Sequence, residues 1–188
     1  MGNKVMRIVI ACVAIVVGAA SLYRYYENRV ANRLVHEGNA AMEVGNDFNK
    51  QAVAKHTELF SEASLREFPA NRAKLKPTVE ETADLFHKTA EQYRITIAKF
   101  DEAGKEDVDS EVVEYWKLKV QSTQKLAESK DELRKLVLML LDESIADAQA
   151  LDTQMKPVVA NIVALSNESE ALTQQAEKLR TEHKSKFE

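Results

Sequence analysis

Residues 75–100 read LKPTVEETADLFHKTAEQYRITIAKF, and the spacing of their apolar side chains decides the fold class. Leu75, Val79, Phe86, Ala90, Tyr93, Ile97 and Phe100 recur at steps of three, four and seven. A strand would alternate every second residue, whereas this pattern lays one apolar stripe along a helix. Pro77 and Thr78 with Glu81 read as the helix start, with Thr-x-x-Glu as a capping box.

Working outward towards the N-terminus, Leu34, Ala41, Phe48, Ala52, Leu59 and Ala63 fall four or seven apart. Gly38 takes the slot between Leu34 and Ala41, where a small residue lets a neighbouring helix approach closely. Phe68-Pro69 ends this helix, because the residue before a proline resists the helical region, and "PANRAKLKP" then turns the corner. Working outward in the other direction, the acidic "DEAGKEDVDS" suits a solvated connection. Asp109 or Ser110 caps the next helix, and Glu111 favours its positive end. Its stripe runs through Val112, Tyr115 or Trp116, Leu126, Leu133, Leu136 and Leu140 to Leu151 and Met155. Residues 136–141, "LVLMLL", are apolar all round, so Leu133, Leu136, Val137, Leu140 and Leu141 are either the centre of a core or a docking face. Pro157 kinks this helix or separates it from a fourth, whose stripe is Val158, Ile162, Leu165, Leu172, Ala176 and Leu179.

Few glycines and prolines (five and three in 188 residues) and 30% charged residues support the same conclusion. The expected fold is all-α: an N-terminal transmembrane helix in residues 1–23, then an elongated antiparallel four-helix, coiled-coil-like bundle in 24–188. Its helices are expected at roughly 24–67, 78–103, 109–155 and 158–186.

The segment "EGNAAMEVGNDF" resembles the first half of a tetratricopeptide repeat, with Gly38 and Gly45 seven apart and Phe48 soon after. No second copy follows about 34 residues on, and such repeats need neighbours to bury their faces. What the resemblance implies locally is a turn at Gly45-Asn46 that splits the first helix.

Val5 to Tyr23 is almost wholly apolar, close to the roughly 20 residues that cross a bilayer's hydrocarbon core. Tyr23, Arg24, Tyr25, Tyr26 and Arg29 follow at once, and amphipathic rings with long cations mark a membrane interface. Residues 1–26 carry +3 and the remainder −7, for a net charge of −4. A basic tail ahead of an N-terminal apolar run is the usual signal-anchor arrangement, which exports the body. The alternative is cleavage at Gly18-Ala19-Ala20 as a signal peptide. The lone cysteine, Cys12, lies in the apolar stretch and reads as an ordinary small membrane residue.

Chemistry is sparse. No Glu-x-x-His, glycine-rich phosphate loop, Gly-x-Ser-x-Gly elbow or haem-attachment motif occurs. Asp84-x-x-His87 is a weak metal match, and His56 near the apolar stripe reads as a partly buried packing residue. The acid pairs Glu80-Glu81 and Asp131-Glu132 point about 100° apart on a helix, so they do not converge. Tyr93, Tyr115 and Trp116 read as core, with an interhelical small-ligand pocket as the alternative. Asn167-Glu168-Ser169 is a glycosylation sequon in a eukaryotic secretory setting alone.

The expectation is a non-enzymatic, single-pass scaffold of the cytoplasmic (inner) membrane with a periplasmic or extracytoplasmic body and no cofactor. Its partners are membrane lipid through the N-terminal helix, and a protein or a second copy through the helical surfaces. Nucleic acid is excluded by the acidic body. Alternatives are a secreted helical protein and a small-ligand or sensory bundle. The latter resembles the four-helix input domains of bacterial transmembrane receptors, but lacks their second span and signalling region.

Overall fold

The computed structural model describes residues 2–106 and 109–187, with side chains from Arg29 onward. The chain is all-helical, and no strand occurs among the described residues. Its elements are α1 (Gly2–Leu59), α2 (Glu62–Arg66), α3 (Arg72–Lys105), α4 (Ser110–Leu138), a 3-10 turn (Met139–Leu141), α5 (Ala148–Glu182) and a short C-terminal 3-10 turn (Lys184–Lys186). The four long helices pack in chain order: α1 on α3, α3 on α4, and α4 on α5. No contact of comparable extent joins α1 to α5, so the bundle is open along one side. Among residues 29–187, whose side chains are described, no helix is long and apolar enough to cross a membrane; the expected span and the anchor residues Tyr23, Arg24, Tyr25 and Tyr26 lie outside them.

Reciprocal side-chain size fixes the α1–α3 register. Ala31, Gly38, Gly45, Ala52 and Leu59 step by seven along α1, and all are buried. Val79, Phe86, Tyr93 and Phe100 step by seven along α3, buried likewise. A Cβ on Gly38 would lie 2.7 Å from the Phe100 ring, and one on Gly45 2.9 Å from the Tyr93 ring. Going forward seven on α1 therefore goes back seven on α3. The same register sets Ala52 level with Phe86 and Leu59 level with Val79, all four in one buried cluster. Thr82, Thr89 and Thr96 fill the seam between the rings, fully buried. Their hydroxyls donate to backbone carbonyls, and Thr96 reaches across to Gly38 O at 3.1 Å. A buried hydroxyl without an acceptor would cost about 1–3 kcal/mol, so these bonds let the seam stay threonine. Lys99–Glu37 and Lys55–Glu81, each 2.8 Å, edge the seam outside.

Phe100 also meets Trp116 of α4, with ring centroids 5.1 Å apart. One ring touching both neighbours puts α1 and α4 on the same side of α3. The row of helices is thus curved, with a concave and a convex face. Polar contacts carry the next seam: Ser122 of α4 bonds Ser169 and Thr173 of α5 at 2.7–3.0 Å, and Lys125 pairs with Glu168 at 2.9 Å.

Four boundary expectations fail. α1 runs unbroken through Gly45-Asn46, so the turn implied by the repeat resemblance is absent. It ends at Leu59 rather than 67, and α2 and its turns fill the interval. α3 starts at Arg72, which leaves Pro77 and Thr78 inside the helix and removes the capping box; the Thr78 carbonyl instead accepts from Thr82. α4 stops at Leu138 rather than 155, and Pro157 lies within α5. The break falls at 142–147, where Asp142 accepts from Ser144 N–H and Asp147 caps α5 by accepting from Ala150 N–H at 2.8 Å.

Candidate functional site

The stretch 136–141 lies where α4 gives way to the turn. Leu136, Val137 and Leu140 are buried, and Leu133 and Leu141 are half-buried against the same cluster. Ala52, Leu59, Phe68, Val79, Leu85, Phe86, Ile145 and Leu151 complete its buried members, so α1, α3, α4 and α5 all contribute near this end. Arg72, the first residue of α3, locks the break: Nε donates to Leu140 O at 3.1 Å and Nη2 to Ile145 O at 2.8 Å. Its guanidinium also sits 5.1 Å over the Phe68 ring. Beside it opens a cleft of about 560 Å³ lined by Pro69, Ala70, Arg72, Lys76, Leu141 and Glu143.

The aromatic residues do not surround a common ligand space. Tyr93 is buried against Gly45, and its hydroxyl donates to Asn46 Oδ1 at 2.8 Å. Burial raises the Tyr93 pKa above its ordinary value. Trp116 packs on Phe100 and on Tyr115, which also meets Phe187 at 5.2 Å, near the chain's end. The notch that Trp116 floors, about 300 Å³ with Phe100, Gly104, Val113 and Val120, lies between α3 and α4.

Among the described residues no group of three metal-ligating side chains converges. Glu81 pairs with Lys55, Asp131 with Arg94 and Glu132 with Lys135, so the acid pairs serve as ion-pair edges of the helices. Asp84 pairs with Lys88 rather than His87. His56 packs on Phe60 at 4.6 Å and Phe86 at 6.2 Å, and desolvation lowers its pKa. Its Nε2 is buried without a hydrogen-bond partner, as is Asn49 Oδ1 one heptad earlier. Asn167 is exposed, while Ser169 of the sequon is buried on Ser122. Arg29, the one anchor residue whose side chain is described, is exposed.

Sequence reasoning missed the curvature and its consequence for α4. The flank with Glu114, Lys117, Gln121, Gln124 and Lys135 is exposed, whereas Val112, Lys119, Leu126, Lys130, Leu133 and Val137 on the opposite flank are buried or half-buried. The signal was present as lysines interrupting a leucine stripe. No protein-family model, curated protein or solved structure matches this chain.

Proposed function

We propose that the protein is a membrane-anchored, non-enzymatic helical scaffold that holds a partner protein at a set distance from the bilayer. The observation that carries this proposal is the continuity of α1, a single helix of 58 residues from Gly2 to Leu59. Residues 5–23 and the seam residues 31–59 fall within the bounds of one helix, so an anchor in the first part would orient the body that follows. From Arg29 to Leu59 the helix rises roughly 45 Å at 1.5 Å per residue. With residues 5–23 in the membrane, the α3–α4 connection and the C-terminal end stand near the bilayer. The end formed by α2, the 3-10 turn and the start of α5 stands away from it. Ion pairs between segments distant in sequence, from Lys186–Asp109 at one end to Lys55–Glu81 towards the other, suit a spacer that keeps its shape. The basic N-terminal tail favours export of the body, which makes the partner extracytoplasmic.

The experiment uses the lone thiol. With Cys12→Ser and Glu106→Cys, intact cells or spheroplasts are treated with a membrane-impermeant maleimide. Labelling of a full-length chain that pellets with membranes is the expected result. A full-length chain labelled only after lysis would place the body inside, and a shortened soluble chain would show residues 1–20 to be a cleaved signal peptide.

A further inference from the structure

The concave face has a wall at each side and a floor between them. Its floor on α4 is the stripe Lys119, Leu126, Lys130 and Leu133, all half-buried. On α1, Met42, Asn49 and His56 step by seven beside the seam, and His56 reaches over the row to Phe86. On α5, Met155, Val159 and Ile162 line the flank nearest Leu133; Met155 packs on the cluster that holds Val137 and Leu140. Val53 and Val159, at the two edges, are 45% and 41% exposed. Because α1 and α5 do not pack on each other, neither closes over this half-buried face.

Charge identifies what covers it. Lys117, Lys125 and Lys135, on the other flanks of α4, are each paired with a glutamate. Lys119 and Lys130 have no carboxylate within ion-pair distance among the described residues, although both are half-buried. They lie eleven residues apart, three turns or about 16 Å, on one stripe with leucine between. Burial desolvates Lys130 and lowers its pKa, and a desolvated cation without a counter-charge is costly unless a partner supplies one. On α5, its most open helix, a second copy would present Asp152 and Glu177 already paired with Lys156 and Arg180.

We propose that this trough seats an amphipathic helix of a partner protein, apolar on its inner face, with carboxylates at its edge that meet Lys119 and Lys130. Leu126, Leu133, Met42, Val53, Val159 and Ile162 supply the apolar bed, the helix-in-groove mode of recognition. The proposal names the partner of the scaffold described above and rests on that reading for its biological setting, but not on the anchor.

The test uses the full-length chain in detergent micelles and a fluorescent 18-residue helical peptide with a leucine face and two glutamates eleven apart. Protein-free micelles set the baseline for anisotropy. The acidic peptide is expected to bind saturably, and Lys119→Glu with Lys130→Glu to weaken it by about tenfold or more. A matching peptide with lysines for glutamates should then bind the double variant and not the wild type. Lys119→Gln with Lys130→Gln, which introduces no repulsion, should weaken the acidic peptide without accepting the basic one. Absence of saturable binding, or equal binding of both peptides to both proteins, would overturn the proposal. So would a wild-type dimer, seen by sedimentation, that the double variant dissolves, since the occupant would then be a second copy. A chain that proves not to be anchored leaves this result untouched.

Discussion

Gly38 and Gly45 matter for what they exclude. Each leaves room that a ring from α3 fills, Phe100 in one case and Tyr93 in the other, at 2.7 and 2.9 Å from where a Cβ would stand. Helix propensity alone would reward a larger residue by about 1 kcal/mol. Overpacking a filled seam costs about 1–3 kcal/mol, and a branched side chain lies at the upper end. Gly38→Leu is therefore predicted to lower the unfolding free energy by about 2 kcal/mol in urea titrations. The same substitution on a Phe100→Ala background should cost much less, because the space it needs is then vacant. Strict additivity of the two changes would contradict the ring-in-gap register. His56 offers a second residue-scale prediction. Burial holds its pKa below the ordinary 6.5, so the unfolded chain takes up a proton more readily than the folded one. That contribution to stability is intact above about pH 6.5 and is lost as pH falls from there towards the folded pKa. Glu37, Glu111 and Asp142 have lowered pKa values, with Glu111 at about 2, so their losses come at lower pH. The urea midpoint should thus fall between pH 7.5 and 5.5 in the wild type and fall less in His56→Phe. Equal falls in the two proteins would mean that His56 is not the group responsible.

Among the elements, the buried face of α3 was legible although its start was not: its stripe of Val79, Phe86, Tyr93 and Phe100 is the buried heptad. The close approach expected at Gly38 is where the Phe100 ring lies. The α4–α5 boundary was not legible, for a physical reason. Leu140, Ile145 and Leu151 continue an apolar series through the break because the loop itself is part of the core; Ile145 is fully buried. Neither glycine nor proline marks the spot, and the turn is made by Asp142, Ser144 and Asp147 instead. Pro157 drew attention to the wrong place. It sits exposed on α5, away from α4, so water can meet the carbonyl it leaves unpaired. A proline inside a helix nevertheless costs up to about 3 kcal/mol relative to alanine. Pro157→Ala is predicted to stabilise the protein by about 1–3 kcal/mol and to slow amide exchange in α5. No change in exchange at residues 151–165 would show that α5 has already absorbed the defect.

At the scale of the whole molecule, an ordinary bundle was legible and its openness was not. Apolar stripes reveal which faces are buried, but the angle between two seams on one helix decides whether a row closes. On α4 that angle leaves Lys119 and Lys130 half-buried with leucines, a mixture that periodicity alone reads as an imperfect core stripe. The candidate site was therefore visible as residues and invisible as a surface. The openness can be measured directly with spin labels at Val53→Cys and Val159→Cys in a Cys12→Ser background. Stepping the register across the row sets these two positions at about the same level, one on each wall. Two intervening helices, each 8–10 Å from the next, separate α1 from α5. Double electron–electron resonance should give a distance distribution centred beyond about 20 Å. Strong dipolar broadening from labels about 10 Å apart would mean that α1 and α5 pack together, and that the trough does not exist.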